Sequence, residues 1–152
     1  MSGVKISNLP PASTLTGAVI LPVVQSGTTY QATVTQLFTN PTITGYTEAT
    51  TDIGTVTTTY QLSITSSTLL IATLTASQAC VFAMPLSPLA GNSFTLLLNQ
   101  ASGGSGSATF TGVKWSSAGA PTITVTASKR DILCFIYDGT AWYGNYSQGY
   151  TP

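Results

Sequence analysis

Four carboxylates (Glu48, Asp52, Asp131 and Asp138), two thiols (Cys80 and Cys134) and no histidine are what this chain offers for proton transfer, nucleophilic attack or metal binding. Without imidazole there is no Ser-His or Cys-His nucleophile pair and no histidine metal site. Glu48 and Asp52 are the pair that could flank a glycosidic bond, a chemistry that sets two carboxyls roughly 5 to 10 Å apart across a sugar cleft. They fall, however, in a Thr-rich segment that reads as a polar loop. Asp138 precedes Gly139, and a hairpin aspartate is more often a turn former than a calcium ligand. Gly103-Gly104-Ser105-Gly106 is followed by no Lys-Ser/Thr pair and no helix pattern, so it reads as a flexible loop and not as a phosphate cradle. Lys129-Arg130-Asp131 reads as a polar strand entry whose ion pair contributes little at a surface. The expectation is a non-enzyme with no catalytic residue, no cofactor and no metal. Trp115, Trp142, Tyr143 and Tyr146, with Tyr150 beyond them, could stack on sugar rings and are the candidate glycan-binding residues; packing in the core or at a subunit contact is their simpler use.

These residues must be positioned by a chain that is poor in charge. Only 5% of its 152 residues are charged, four against four, so there is no basic field for nucleic acid or an anionic membrane surface. No run approaches the roughly 18 to 20 apolar residues of a spanning helix, so membrane insertion is not expected. With 43% hydrophobic residues the chain has the means to fold. A soluble monomer carries about 25% charged residues, so copies of this chain have little repulsion to keep them apart, and other subunits are expected to cover much of its surface. Nothing at the N-terminus has the pattern of a signal peptide, since Lys5 is its only basic residue and Pro22 interrupts the apolar run; synthesis in a cytoplasm is expected. Cys80 and Cys134 lie in apolar runs and are expected to be buried free thiols.

The length suits one domain plus an arm. Residues 1–42 mix short apolar runs with prolines and turn residues. Within them Gly17 to Val24 reads as extended, Gln25-Ser26-Gly27 as a turn and Thr28 to Val34 as a second strand, and Thr33 to Phe38 can form one capped helical turn before Pro41. Residues 43–152 are rich in Thr, Val, Ile and Tyr, which favours sheet. Strand patterns occur at Val56 to Ile64, Thr68 to Leu74, Ala79 to Met84, Ser93 to Gln100, Ser107 to Val113, Thr122 to Thr126, Ile132 to Tyr137 and Trp142 to Tyr146. At this spacing they predict an all-β fold: an antiparallel β-sandwich or jelly-roll-like domain preceded by an extended N-terminal arm with a short hairpin and one helical turn. Ile132 to Tyr137 is apolar on both faces, as for a central strand covered on both sides by its own chain or by a neighbouring subunit.

The order Lys5-Ile6-Ser7-Asn8-Leu9-Pro10, Ala12, Leu15-Thr16-Gly17, Leu21-Pro22-Val23-Val24, Gly27-Thr28-Thr29 and Thr33 to Leu37 resembles an N-terminal module of tailed-bacteriophage fibre, spike and head-decoration proteins. Ser93-Phe94-Thr95-Leu96, Val113-Lys114-Trp115, Pro121-Thr122 and Tyr137-Asp138-Gly139-Thr140-Ala141-Trp142-Tyr143 resemble the C-terminal β-domain found in phage fibre proteins. The resemblance implies a non-enzymatic virion protein, usually a homotrimer, made in the host cytoplasm and displayed on the particle. Its arm would attach to other virion proteins, a major capsid protein or tail and adaptor proteins. The arm's apolar residues, Ile6, Leu9, Pro10, Leu15, Val19, Ile20, Leu21, Pro22, Val23, Val24, Leu37 and Phe38, are the candidate attachment surface. A single module without a repetitive shaft fits a head fibre, spike or capsid decoration (cement) protein; the alternative is a short tail-fibre module binding host surface glycan.

Overall fold

The computed structural model describes residues 18–39 and 41–152, and the chain divides into two units, Met1–Tyr46 and Thr47–Pro152. In the first unit, β1 (Ile20–Gln25) and β2 (Thr28–Thr33) form an antiparallel hairpin. Its turn residues, Ser26 and Gly27, have φ of 51° and 78°, the left-handed pair whose twist suits a two-residue hairpin. Pro22 is tolerated opposite Gln31 because each strand of a two-stranded sheet is an edge. Thr33 then caps α1 (Val34–Phe38): its hydroxyl accepts the Gln36 N–H at 3.1 Å, and the Gln36 side chain accepts the Thr33 N–H at 2.8 Å. The helix buries none of its residues.

The second unit is all-β. Its strands are β3 (Thr50–Val56), β4 (Thr59–Gln61), β5 (Leu69–Leu74), β6 (Ala79–Ala83), β7 (Ser93–Asn99), β8 (Ser107–Thr111), β9 (Val113–Lys114), β10 (Arg130–Tyr137) and β11 (Trp142–Tyr150). They form a six-stranded sheet, β3-β5-β7-β10-β11-β9, and a three-stranded sheet, β4-β6-β8. Strand direction departs from the expected antiparallel order. β3, β5 and β7 run parallel, as do β4, β6 and β8, and antiparallel pairing is confined to β7-β10-β11. Successive pairs β3/β4, β5/β6 and β7/β8 each lay one strand in the large sheet and the next in the small one, a solenoid-like course. Parallel neighbours cannot be joined by a tight hairpin, so the chain passes through the other sheet before returning.

The inner faces of the two sheets enclose one core. Tyr60, Phe82 and Phe110 lie in register across the small sheet, and Leu70, Leu96 and Leu133 across the large one. The Phe110 and Phe135 rings, 5.7 Å apart between centroids, join the two layers. Trp115 packs over Gly144 so closely that a Cβ there would stand 2.4 Å from the ring Cζ3, which only glycine permits.

Residues 122–126 form no strand. Ile123 is buried, and the backbone on either side of it is bonded by side chains in place of a ladder: the Gln148 amide donates to the Thr122 carbonyl at 2.6 Å, the Gln100 amide to the Thr124 carbonyl at 2.9 Å, and the Thr124 N–H to Asp131 Oδ2 at 2.8 Å. The glycine-rich segment is likewise fixed by specific contacts. Gly104 and Gly106 are buried, the Gly106 N–H and carbonyl are both bonded to Gln100, and a Cβ on Gly106 would lie 2.7 Å from the Thr75 carbonyl oxygen.

The Asp138-Gly139 hairpin forms as expected. Asp138 Oδ1 accepts the Thr140 hydroxyl at 2.7 Å, the Thr140 N–H at 2.7 Å and the Ala141 N–H at 2.8 Å. These bonds, the Thr140 hydroxyl foremost, hold the carboxyl well below the usual carboxylate range. A depressed folded-state pKa gives stability that is complete above the unfolded value of about 4 and is lost as the pH falls through the folded value. The thermal midpoint of the native chain should therefore fall more steeply between about pH 5 and pH 2 than that of Asp138→Asn. Parallel pH profiles for the two chains would show that the turn does not discriminate between the ionised and protonated acid.

Candidate functional site

The arm's candidate attachment residues divide by what the structure describes. Ile6, Leu9, Pro10 and Leu15 lie outside the described residues. On β1 the alternation of a strand sets Leu21 and Val23, half-buried, on one face and Ile20, Pro22 and Val24, exposed, on the other, with Val19 half-buried just before it. Val24 is 73% and Phe38 70% exposed, and Leu37 beside Phe38 is also open. The capping box fixes where α1 begins, so Leu37 and Phe38 are carried on an ordered turn and not on a free end. No described residue of this unit is buried. Apolar side chains on a hairpin and helical turn without a core make a surface suited to burial against something else.

The aromatic candidates are separated by the pleat of β11. Trp142, Gly144 and Tyr146 face inward, and Tyr143 and Asn145 face outward. Trp142 is 4% exposed and meets Phe94 edge-on at 5.3 Å and Tyr137 at 5.3 Å. Trp115 packs against Phe110, Phe135 and Tyr146 at 5.8 to 6.0 Å. Three of the four rings are therefore committed to the core, with Trp115 and Tyr146 only partly open. Tyr143, 41% exposed, has the Lys114 ammonium 5.7 Å from its ring centre. A sugar platform needs coplanar open rings, and these four do not make one.

The carboxylates are dispersed among separate structural tasks. Glu48 accepts the Thr68 hydroxyl at 3.1 Å beside a groove of about 310 Å³ that also reaches Thr95 and Cys134. Asp52 lies in β3, not in a loop, and accepts the Gly54 N–H at 2.9 Å where the strand bulges. Asp131 is buried and takes the Thr124 N–H, the Gly149 N–H at 2.9 Å and the Gln148 amide at 3.3 Å. The expected surface ion pair at residues 129–131 is replaced by this clamp, while the Arg130 guanidinium donates to Asn99 at 2.7 Å. Among the described residues no three His, Cys, Asp or Glu side chains stand together as a metal site would require.

The thiols differ from expectation in one respect. Cys80 is buried, its Sγ 3.0 Å from the Val56 carbonyl oxygen, whereas Cys134 is exposed on the outward face of β10. Parity along β10 carries the explanation: Asp131, Leu133 and Phe135 point inward, and Ile132, Cys134 and Ile136 point outward. That alternation was available in the sequence, but a strand apolar on both faces hides which parity belongs to the core.

No family model matches this chain, and the comparisons with curated proteins and with solved structures found no match.

Proposed function

We propose that this chain is a non-enzymatic structural protein of a tailed-bacteriophage virion, a homotrimeric head fibre, spike or capsid decoration protein held to the particle by its N-terminal arm. The observation that carries this reading is the contrast between the two units. Residues 47–152 have a full aromatic and aliphatic core, whereas the described arm residues offer Ile20, Val24, Leu37 and Phe38 to solvent on ordered elements. We read the facing sheets of the second unit as a sandwich in which antiparallel pairing is limited to β7-β10-β11. Dispersed carboxylates and the missing histidine favour a role in assembly over one in catalysis. Each arm side chain buried on a partner contributes about 1.5–3 kcal/mol before ordering costs, and three arms on one particle add avidity.

The test is attachment to particles assembled without this chain. Val24 and Phe38 are exposed, so Val24→Asp with Phe38→Asp should leave the β-domain folded, and it should reduce attachment by at least about a hundredfold, the low end for the loss of two apolar contacts. Undiminished attachment by the double variant would remove the arm from the account.

A further inference from the structure

We propose that the outward face of the six-stranded sheet turns toward the axis of a closed ring of three copies of this chain and meets the same face of its neighbours. The inference rests on reading the chain as an oligomeric structural protein and assigns the surface through which it assembles. Ile71, Leu97 and Ile132 stand in register across β5, β7 and β10, and the row ends in Asp52 on β3 and Ser147 on β11. An apolar centre with a polar rim is the anatomy of an interface. Cys134 and Ile136, the latter 54% exposed, extend the apolar surface along β10. Two grooves of about 310 and 320 Å³ share Cys134 as a wall and give this face relief that side chains of another copy can fill.

Charge and dimensions favour copies of the chain over other occupants. Asp52 lies on the β3 edge and Lys114 on the β9 edge, at opposite ends of the sheet. A head-to-tail ring sets the β3 edge of one copy beside the β9 edge of the next, so Asp52 meets Lys114, while Arg130, on the same face at the start of β10, is bonded to Asn99 and lies at the open end of the ring. Five long strands at about 4.8 Å spacing make a face about 24 Å wide. Three such faces closed as a triangular prism stand about 7 Å from the axis, close to the ~5 Å that side chains reach in packed sheets, whereas four would stand about 12 Å away and leave a channel. Six residues along each strand make this face on the order of 500 Å² in plan, divided between two neighbours, so each pairwise contact is small and the ring is held by closing three of them together.

Cys134 is a native reporter, because Cys80 is buried and slow to react. In the full-length chain, light scattering should give three copies, and alkylation of Cys134 by a maleimide should slow at least about tenfold between dilute monomer and concentrated oligomer. Ile136→Lys, at an exposed position, should keep the native circular dichroism, remain monomeric and react at the dilute rate at every concentration. An oligomer whose Cys134 reacts as fast as the variant's would move the contact to another surface. A monomer with Cys134 protected would mean that the chain's own arm covers the face, and a monomer with Cys134 open would mean that nothing does; each overturns the proposal. A trimer with Cys134 protected that never joins a particle would sink the virion reading and leave this one standing.

Discussion

Trp142→Ala should lower the stability of the β-domain by about 3–5 kcal/mol, a large share of the roughly 5–15 kcal/mol that holds a domain together. The indole is 4% exposed and fills the space between Phe94 and Tyr137, so truncation removes both its transfer free energy and its ring contacts. Tyr143→Ala, one residue on and facing outward, should cost the dilute monomer under about 1 kcal/mol, since within one copy its interaction with Lys114 is solvent-exposed. Urea unfolding of the two variants separates them. The contrast also bears on glycan recognition, which would require Trp142→Ala to abolish binding with the fold intact. An unchanged urea midpoint in Trp142→Ala would contradict its place in the core.

The second large effect is expected at Asp131, where alanine should cost about 2–4 kcal/mol through stranded donors. The carboxylate gathers N–H groups from two places in the chain, Thr124 in the irregular segment and Gly149 near the end of β11, and also holds the Gln148 amide. Without it these donors face an apolar side chain, and residues 122–126 lose one of the bonds that replace a strand ladder. Hydrogen exchange should show the Thr124 and Gly149 amides losing protection before the Leu96 and Leu133 amides do, as in local opening. Asp131→Asn retains one acceptor oxygen but turns an NH₂ group toward an N–H, so it should fall between alanine and the native chain. If the two amides kept native protection in Asp131→Ala, the clamp would not be what fixes this segment.

Local chemistry wrote some of this structure plainly in the sequence. Gln25-Ser26-Gly27 between extended runs marked the hairpin, Thr33 marked the helix cap, and Asp138-Gly139 marked the turn before β11, while the part of Gln36 in the cap came only with the structure. Strand direction could not be read, because alternation is the same in parallel and antiparallel sheets and the turn residues leading between sheets resemble those of a hairpin. Residues 122–126 carry a strand pattern, yet their backbone is bonded by Gln100, Asp131 and Gln148, partners set by the tertiary fold. Asp131 sat beside Lys129 and Arg130 and so resembled surface charge, although its parity with Leu133 and Phe135 pointed to the core. The aromatic run at Trp142-Tyr143 offered two equal candidates for a sugar platform, and only the pleat decides which ring is inside. For the arm, apolar side chains joined to turn and cap signals marked an exposed surface, while the identity of what covers it lies in another molecule.

The claim that this chain is a virion component is tested most directly by quantitative mass spectrometry of purified particles from a lysate in which it is expressed. The account predicts the chain at a fixed copy number per particle, a multiple of three, that survives washing at high salt because the contacts are apolar. A chain abundant in the lysate but absent from the particles would contradict it.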